Sequence, residues 1–133
     1  MYLASLDPTE PNSQVSQLLK GLVDAKNRGV QVKVILDQNL DFTDESRQDQ
    51  IYQNKNQATF EYLRTNGIEV FYDTAETYTH AKAVVIDHET SIVGSTNWSK
   101  AALTKNNEVN ALIRSKEFAE NLILQFDQIK LQE

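Results

Sequence analysis

The spacing of apolar and polar positions changes period several times along the 133-residue chain, and each change marks an element. "MYLASL" opens as an apolar, strand-like run; "DPTEPN" breaks it with two prolines and ends at Asn12, a side chain suited to capping a helix. Val15, Leu18, Leu19, Leu22 and Val23 then recur at three- and four-residue spacing, which lays one apolar stripe along a helix. Lys26 and Arg28 in its last turn and Gly29 beyond supply the stop. "VQVKVILD" reads as the following strand.

Residues 37–56 break this alternation. They are polar, carry Asp41, Asp44, Glu45, Arg47 and Asp49, and have no convincing period, so they read as a long surface loop of the kind that often carries function. Phe60 and Leu63 fall within a helix expected over residues 57–66 and stopped by Gly67, after which "IEVFY" is a third strand and "TAETYT" a connection. Residues 80–87 and 91–95 read as two strands joined by the turn "HET", "NEVNALI" as another strand, and residues 116–130 as a helix with Phe118, Leu122, Phe126 and Ile129 on one stripe. Strands alternating with amphipathic helices, then a cluster of strands, predict a layered α/β fold with a mixed sheet, in one domain over residues 1–133.

Composition narrows the function classes. At 40% apolar and 24% charged residues the chain has the makings of an ordinary globular core. A formal charge of -6 argues against broad electrostatic capture of nucleic acid, so any phosphate site has to be local. Without cysteine there are neither disulfides nor thiolate metal sites. The start of the chain does not look like a signal peptide, and the apolar runs fall well short of the roughly 18 residues a membrane span needs, so a soluble, cytoplasmic protein is the expectation.

Candidate chemistry is concentrated in "HAKAVVIDHETSIVGSTNWS", residues 80–99. On a strand, His80 and Lys82 would share one face while Ala81 and Ala83 keep the other small. Ser95 and Asn97 repeat that spacing at the end of the next strand, where Gly94 permits close backbone approach. Converging at one sheet end, these groups suit a phosphodiester: Lys82 offers a point charge, Ser95 and Asn97 neutral donors, and His80 an imidazole able to attack phosphorus or move a proton near neutral pH. A lone strand histidine is more often structural, and a lone Lys82 would be an edge lysine; the combination H-x-K-x4-D-x6-G-S-x-N, which adds Asp87, is what changes the balance.

This pattern resembles the HKD motif of the phospholipase D superfamily, and "NWSKAALTKNNEVNALI" downstream is similar to the small bacterial phosphodiesterase and endonuclease branch with a single motif. A weaker likeness covers "LLKGLVDAKNRGVQVKVILD", residues 18–37. The resemblance implies an α/β/α sandwich that lacks the family's first strand and helix. It implies His80 as the nucleophile that forms a phosphohistidine, Lys82 and Asn97 as ligands of the phosphate oxygens with Gly94 and Ser95 beside them, Asp87 as a structural member of the motif, and Glu108 as the carboxylate that orients His80. Because this chain carries one copy of the motif, it also implies a homodimer that shares its site on the active-site face.

The resulting expectation is a metal-independent phosphodiesterase without cofactor, a nuclease with nucleic acid as substrate. The alternatives are a lipid phosphodiesterase, or a non-catalytic or incomplete fragment of a longer protein. The acidic residues of the loop 38–56 would disfavour long polyanions near the ligand end of the sheet. Trp98 reads as a core or interface tryptophan before a base-stacking one, Lys100 and Lys105 as solvated lysines that would add charge beside the site, and His88 as an exposed turn histidine.

Overall fold

The computed structural model describes residues 1–38 and 54–132, so most of the acidic loop expected over 38–56 lies outside the described residues. Helix α1 spans Gln14–Asn27, strand β1 Lys33–Leu36, helix α2 Gln57–Thr65 and strand β2 Glu69–Tyr72. Strands β3 (Ala83–Ile86) and β4 (Thr90–Gly94), helix α3 (Lys100–Thr104), strand β5 (Asn110–Arg114) and helix α4 (Lys116–Asp127) follow. β1 and β2 pair in parallel, with Val34 opposite Val70; β3, β4 and β5 form an antiparallel sheet in that order.

Of the stripe the spacing predicts along α1, Val15, Leu19 and Val23 are buried and close a core with Ala4, Leu36, Leu63, Ile68 and Val70, Leu22 packs against it, and Leu18 is exposed instead. The cap is Ser13 and not Asn12, because the Ser13 hydroxyl accepts the Ser16 N–H at 3.2 Å. Ser99 and Ser115 cap α3 and α4 in the same way. The short α3 is an element that the sequence pattern does not announce. Gly67 ends α2 with φ +74°, a backbone conformation in which side chains beyond Cα are strained. No helix among the described residues is long and apolar enough to cross a membrane.

"MYLASL" does not form a regular strand. It runs extended between the two sheets and joins them: the Met1 amine donates to Ile35 O at 2.6 Å, and Tyr2 N–H to Ala81 O at 3.0 Å. Trp98 N–H donates to Leu3 O at 2.9 Å and Ser5 N–H to Trp98 O at 2.8 Å. Two side chains at the start of α2 fasten the segment. Asn56, fully buried, accepts Ala4 N–H at 2.8 Å and donates to Tyr2 O at 3.0 Å and Asp37 O at 2.7 Å. Thr59 donates to Ala4 O and accepts Leu6 N–H at 3.1 Å. The end of the expected loop is therefore a packed polar joint.

In the β3–β4 hairpin the turn is centred one residue earlier than "HET". Asp87 and His88 take φ +53° and +56°, and Glu89 N–H closes on Ile86 O at 3.1 Å. Two left-handed residues at the centre of a turn suit the twist of hairpin strands, and the ladder resumes with Ile86 opposite Thr90. α4 packs on β3 and β4, and Ser91 is buried. On the side of the sheet opposite Ser91, Ile92 and its register partner Leu112 are exposed.

Candidate active site

Antiparallel pairing brings the beginning of β3, the end of β4 and the beginning of β5 to the same end of their sheet. Gly94 N–H donates to Lys82 O at 3.3 Å and Ser95 N–H to Val109 O at 3.0 Å, so residues 82, 95 and 108 come from three adjacent strand ends. The segment 1–5 places the C-terminal ends of β1 and β2 beside them. Asn97 follows β4 where the chain crosses to that segment through Trp98, which is half-buried against the core, as its tryptophan character suggested.

β3 begins only at Ala83, so His80 and Lys82 are presented by the segment leading into it and not by the strand itself. A single aromatic ring seats both: Tyr2 lies 4.4 Å from the His80 imidazole, centroid to centroid at 57°, and 4.7 Å from the Lys82 ammonium. Lys82 Nζ also donates to the backbone oxygen of His80 at 2.7 Å. Burial holds the Lys82 ammonium below the usual lysine range, while Glu108 and then Asp37 pull in the other direction. The result is an exposed imidazole beside a half-buried cation.

Among the described residues no hydrogen bond joins Glu108 to His80. One carboxylate oxygen accepts the Ser95 hydroxyl, and the other accepts the Asn106 amide at 3.1 Å. These bonds, Ser95 first, and the Lys82 charge hold the Glu108 carboxyl below its usual range. The orienting role expected of Glu108 toward the imidazole is absent in this geometry; the carboxylate orients Ser95. That changes Ser95 too. A hydroxyl has one proton, Ser95 gives it to Glu108, and its lone pair accepts Val109 N–H at 3.0 Å, so no donor remains for a phosphate.

Gly94 is likewise explained by the sheet. A Cβ there would lie 2.7 Å from Asn110 Cα and overlap Asn110 Oδ1 and Val109 O, so the close approach that glycine permits is that of β5. Asp87 stands at the opposite end of the hairpin from His80, exposed, in the turn whose left-handed backbone aspartate tolerates. Its side chain makes no hydrogen bond or ion pair among the described residues, and does not tie the site. Asn97 is half-buried, with its Oδ1 buried and without a hydrogen-bond partner. Lys100 is engaged by Glu10, ninety residues away, while Lys105 and His88 are exposed as expected.

Two aspartates belong to this region that the motif does not include. Asp37 and Asp73 immediately follow parallel strands β1 and β2, each is 1% exposed, and both accept the N–H of Thr79, the residue before His80. The signal was readable: in open α/β sheets ligands gather outside the carboxyl ends of parallel strands, and both strand-like runs end in Asp.

An imidazole and an ammonium held on one ring at a sheet end are groups that an anion could meet together. Residues 4–130 match the family described as cardiolipin synthase, PLD-like domain, and the chain belongs to this phospholipase D-like family. It is 32% identical over 108 residues to a phospholipase D of Rickettsia bellii, covering 81% of this chain and 48% of that protein. It is 27% identical over 121 residues to a mitochondrial cardiolipin hydrolase of Chlamydomonas reinhardtii, covering 91% and 48%. The chain thus spans about half the length of the curated relatives it matches. Among solved structures, the phospholipase D family member Nuc from Salmonella typhimurium superimposes with a TM-score of 0.67 at 28% identity, over 91% of this chain and 75% of that one.

Proposed function

We propose that the chain is the catalytic part of a metal-independent phosphodiesterase, that nucleic acid is its substrate, and that two copies share one site. The observation that carries the reading is the seating of His80 and Lys82 on Tyr2 at a sheet end that also holds Asn97. An imidazole nitrogen of His80 attacks phosphorus, the bond to the leaving oxygen breaks, and that oxygen takes a proton from a second imidazole. Water then cleaves the phosphohistidine and returns the proton. Lys82 and the Asn97 amide meet the charge on the phosphate oxygens, the work a metal does elsewhere. The described residues offer one such histidine, so the second imidazole comes from His80 of the partner subunit across a two-fold axis. Nucleic acid is favoured by the likeness of residues 97–113 to the endonuclease branch.

A lipid phosphodiester is the second reading, favoured by the relatives named phospholipase D and mitochondrial cardiolipin hydrolase. The test is hydrolysis of a chromogenic phosphodiester, a single-stranded oligonucleotide and cardiolipin vesicles in excess chelator, with light scattering on the same sample. Expected are chelator-resistant turnover, cleavage of the oligonucleotide, a dimer, and severe loss in a heterodimer of wild type with His80→Asn. Activity that EDTA abolishes and magnesium restores overturns the mechanism, cleavage of the vesicles alone selects the lipid reading, and turnover by a strict monomer refutes the shared site.

A further inference from the structure

The segment that carries His80 is anchored in an unusual way. Thr79 N–H lies 2.8 Å from Asp37 Oδ2 and 3.0 Å from Asp73 Oδ2, so a single backbone donor serves two carboxylates. Both carboxylates are 1% exposed. Each also belongs to the frame of the parallel sheet: Asp73 Oδ1 accepts Gln38 N–H at 2.8 Å, Asp73 N–H donates to Leu36 O at 3.0 Å, and Asp37 O accepts the Asn56 amide at 2.7 Å. Burying two carboxylates close together is costly, and a pair of apolar side chains would close a sheet end with less expense in desolvation. What the acids achieve that apolar residues cannot is a fixed point for a backbone amide, held from two strands at once and one residue from the imidazole.

We infer that Asp37 and Asp73 are positioning residues for His80, acting through the Thr79 amide. The inference rests on the phosphodiesterase reading, and extends it to two residues outside the motif. The Tyr2 ring limits where the imidazole can lie from one side; the two carboxylates fix where its backbone starts from the other. Nucleophilic attack depends steeply on such placement, since displacement of a reacting group by about 1 Å can cost on the order of a hundredfold in rate.

Wild type, Asp37→Leu and Asp73→Leu, which remove the acceptor at nearly constant size, are compared at a temperature where circular dichroism shows each to be fully folded. The probes are bis(4-nitrophenyl) phosphate in excess chelator, and NMR of the His80 ring protons, which the neighbouring Tyr2 ring shifts. The expected result is a fall of about tenfold or more in kcat with KM within about twofold, and movement of the His80 ring resonances toward those of exposed His88. A folded variant that keeps wild-type kcat and unmoved His80 resonances overturns the inference, as does a loss confined to melting temperature. Resonances that move in variants of a wild type which does not hydrolyse the probe support the positioning role and sink the phosphodiesterase reading instead. Should an aspartate variant fail to fold, the α-hydroxy analogue of Thr79, which removes only the N–H donor, takes its place; the same fall in kcat supports the inference and an unchanged kcat overturns it.

Discussion

The Ser95 hydroxyl donates to the Glu108 carboxylate across the ends of β4 and β5, thirteen residues apart in the chain, and the same hydroxyl accepts Val109 N–H. This pair ties down the strand ends next to Lys82, and its consequence is a defined dependence on acid. The Glu108 carboxyl is held below its ordinary value of 4.5 by Ser95, Asn106 and Lys82. A carboxylate whose folded-state pKa is depressed contributes stability that is fully present above the unfolded value and is lost as pH falls through the folded one. Glu108→Gln should therefore melt below wild type at neutral pH, and the gap should close on acidification from about pH 5 downward. Melting temperatures of the two proteins across that range give the check; a gap independent of pH would contradict it.

Gly94→Ala probes the difference between a phosphate-binding glycine and a packing one. The new methyl would overlap Asn110, the first residue of β5, and the backbone oxygen of Val109 just before it, so the strand end has to move. A loss of about 2 kcal/mol or more is expected from overpacking of this kind, read as a lowered urea midpoint in a protein with or without substrate.

Asp87 tests the reach of the site. Because it sits in the hairpin turn away from His80 with φ +53°, Asp87→Asn should leave turnover of a phosphodiester within about twofold of wild type, asparagine being at ease in the left-handed region. Asp87→Val should lower stability by about 1 kcal/mol or more through backbone strain alone. Large loss of activity in the folded asparagine variant would return Asp87 to the site.

Asn56→Ala should be among the most destabilising single changes in the chain. It removes a fully buried side chain that accepts Ala4 N–H and donates to Tyr2 O and Asp37 O, so three buried hydrogen bonds are lost together. At about 1 kcal/mol for each hydrogen bond lost, the loss is expected to be about 3 kcal/mol. Denaturant unfolding measures it, and a loss under about 1 kcal/mol would mean that water replaces the amide.

Local pattern was sufficient where the deciding interaction is local. The α1 stripe of Val15, Leu19 and Val23, the stop at Gly67 and the strand before Asp73 are legible because burial on one helix face or along one strand recurs at a fixed spacing. The family is legible as well, since the contiguous motif that carries the resemblance lies within the matched residues 4–130. Boundaries were less so. Ser13 displaces Asn12 as the cap, and the ladder begins at Ala83 and not at His80, because hydrogen-bond geometry and not hydropathy decides where a regular element starts.

What only the tertiary structure decided is who partners whom. Nothing local pairs Glu108 with Ser95 in preference to His80, or turns Gly94 toward Asn110; strand register fixes both. Tyr2, Asn56, Asp37 and Asp73 stand outside the motif, and each meets a partner that is distant in the chain: Tyr2 meets His80, Asn56 meets Asp37, Asp37 meets Thr79 and Asp73 meets Gln38. By itself the sequence determined most of the elements and the family. The fold, by bringing strand ends together at hydrogen-bonding distance, determined which carboxylates hold a hydroxyl and which hold the amide behind the histidine.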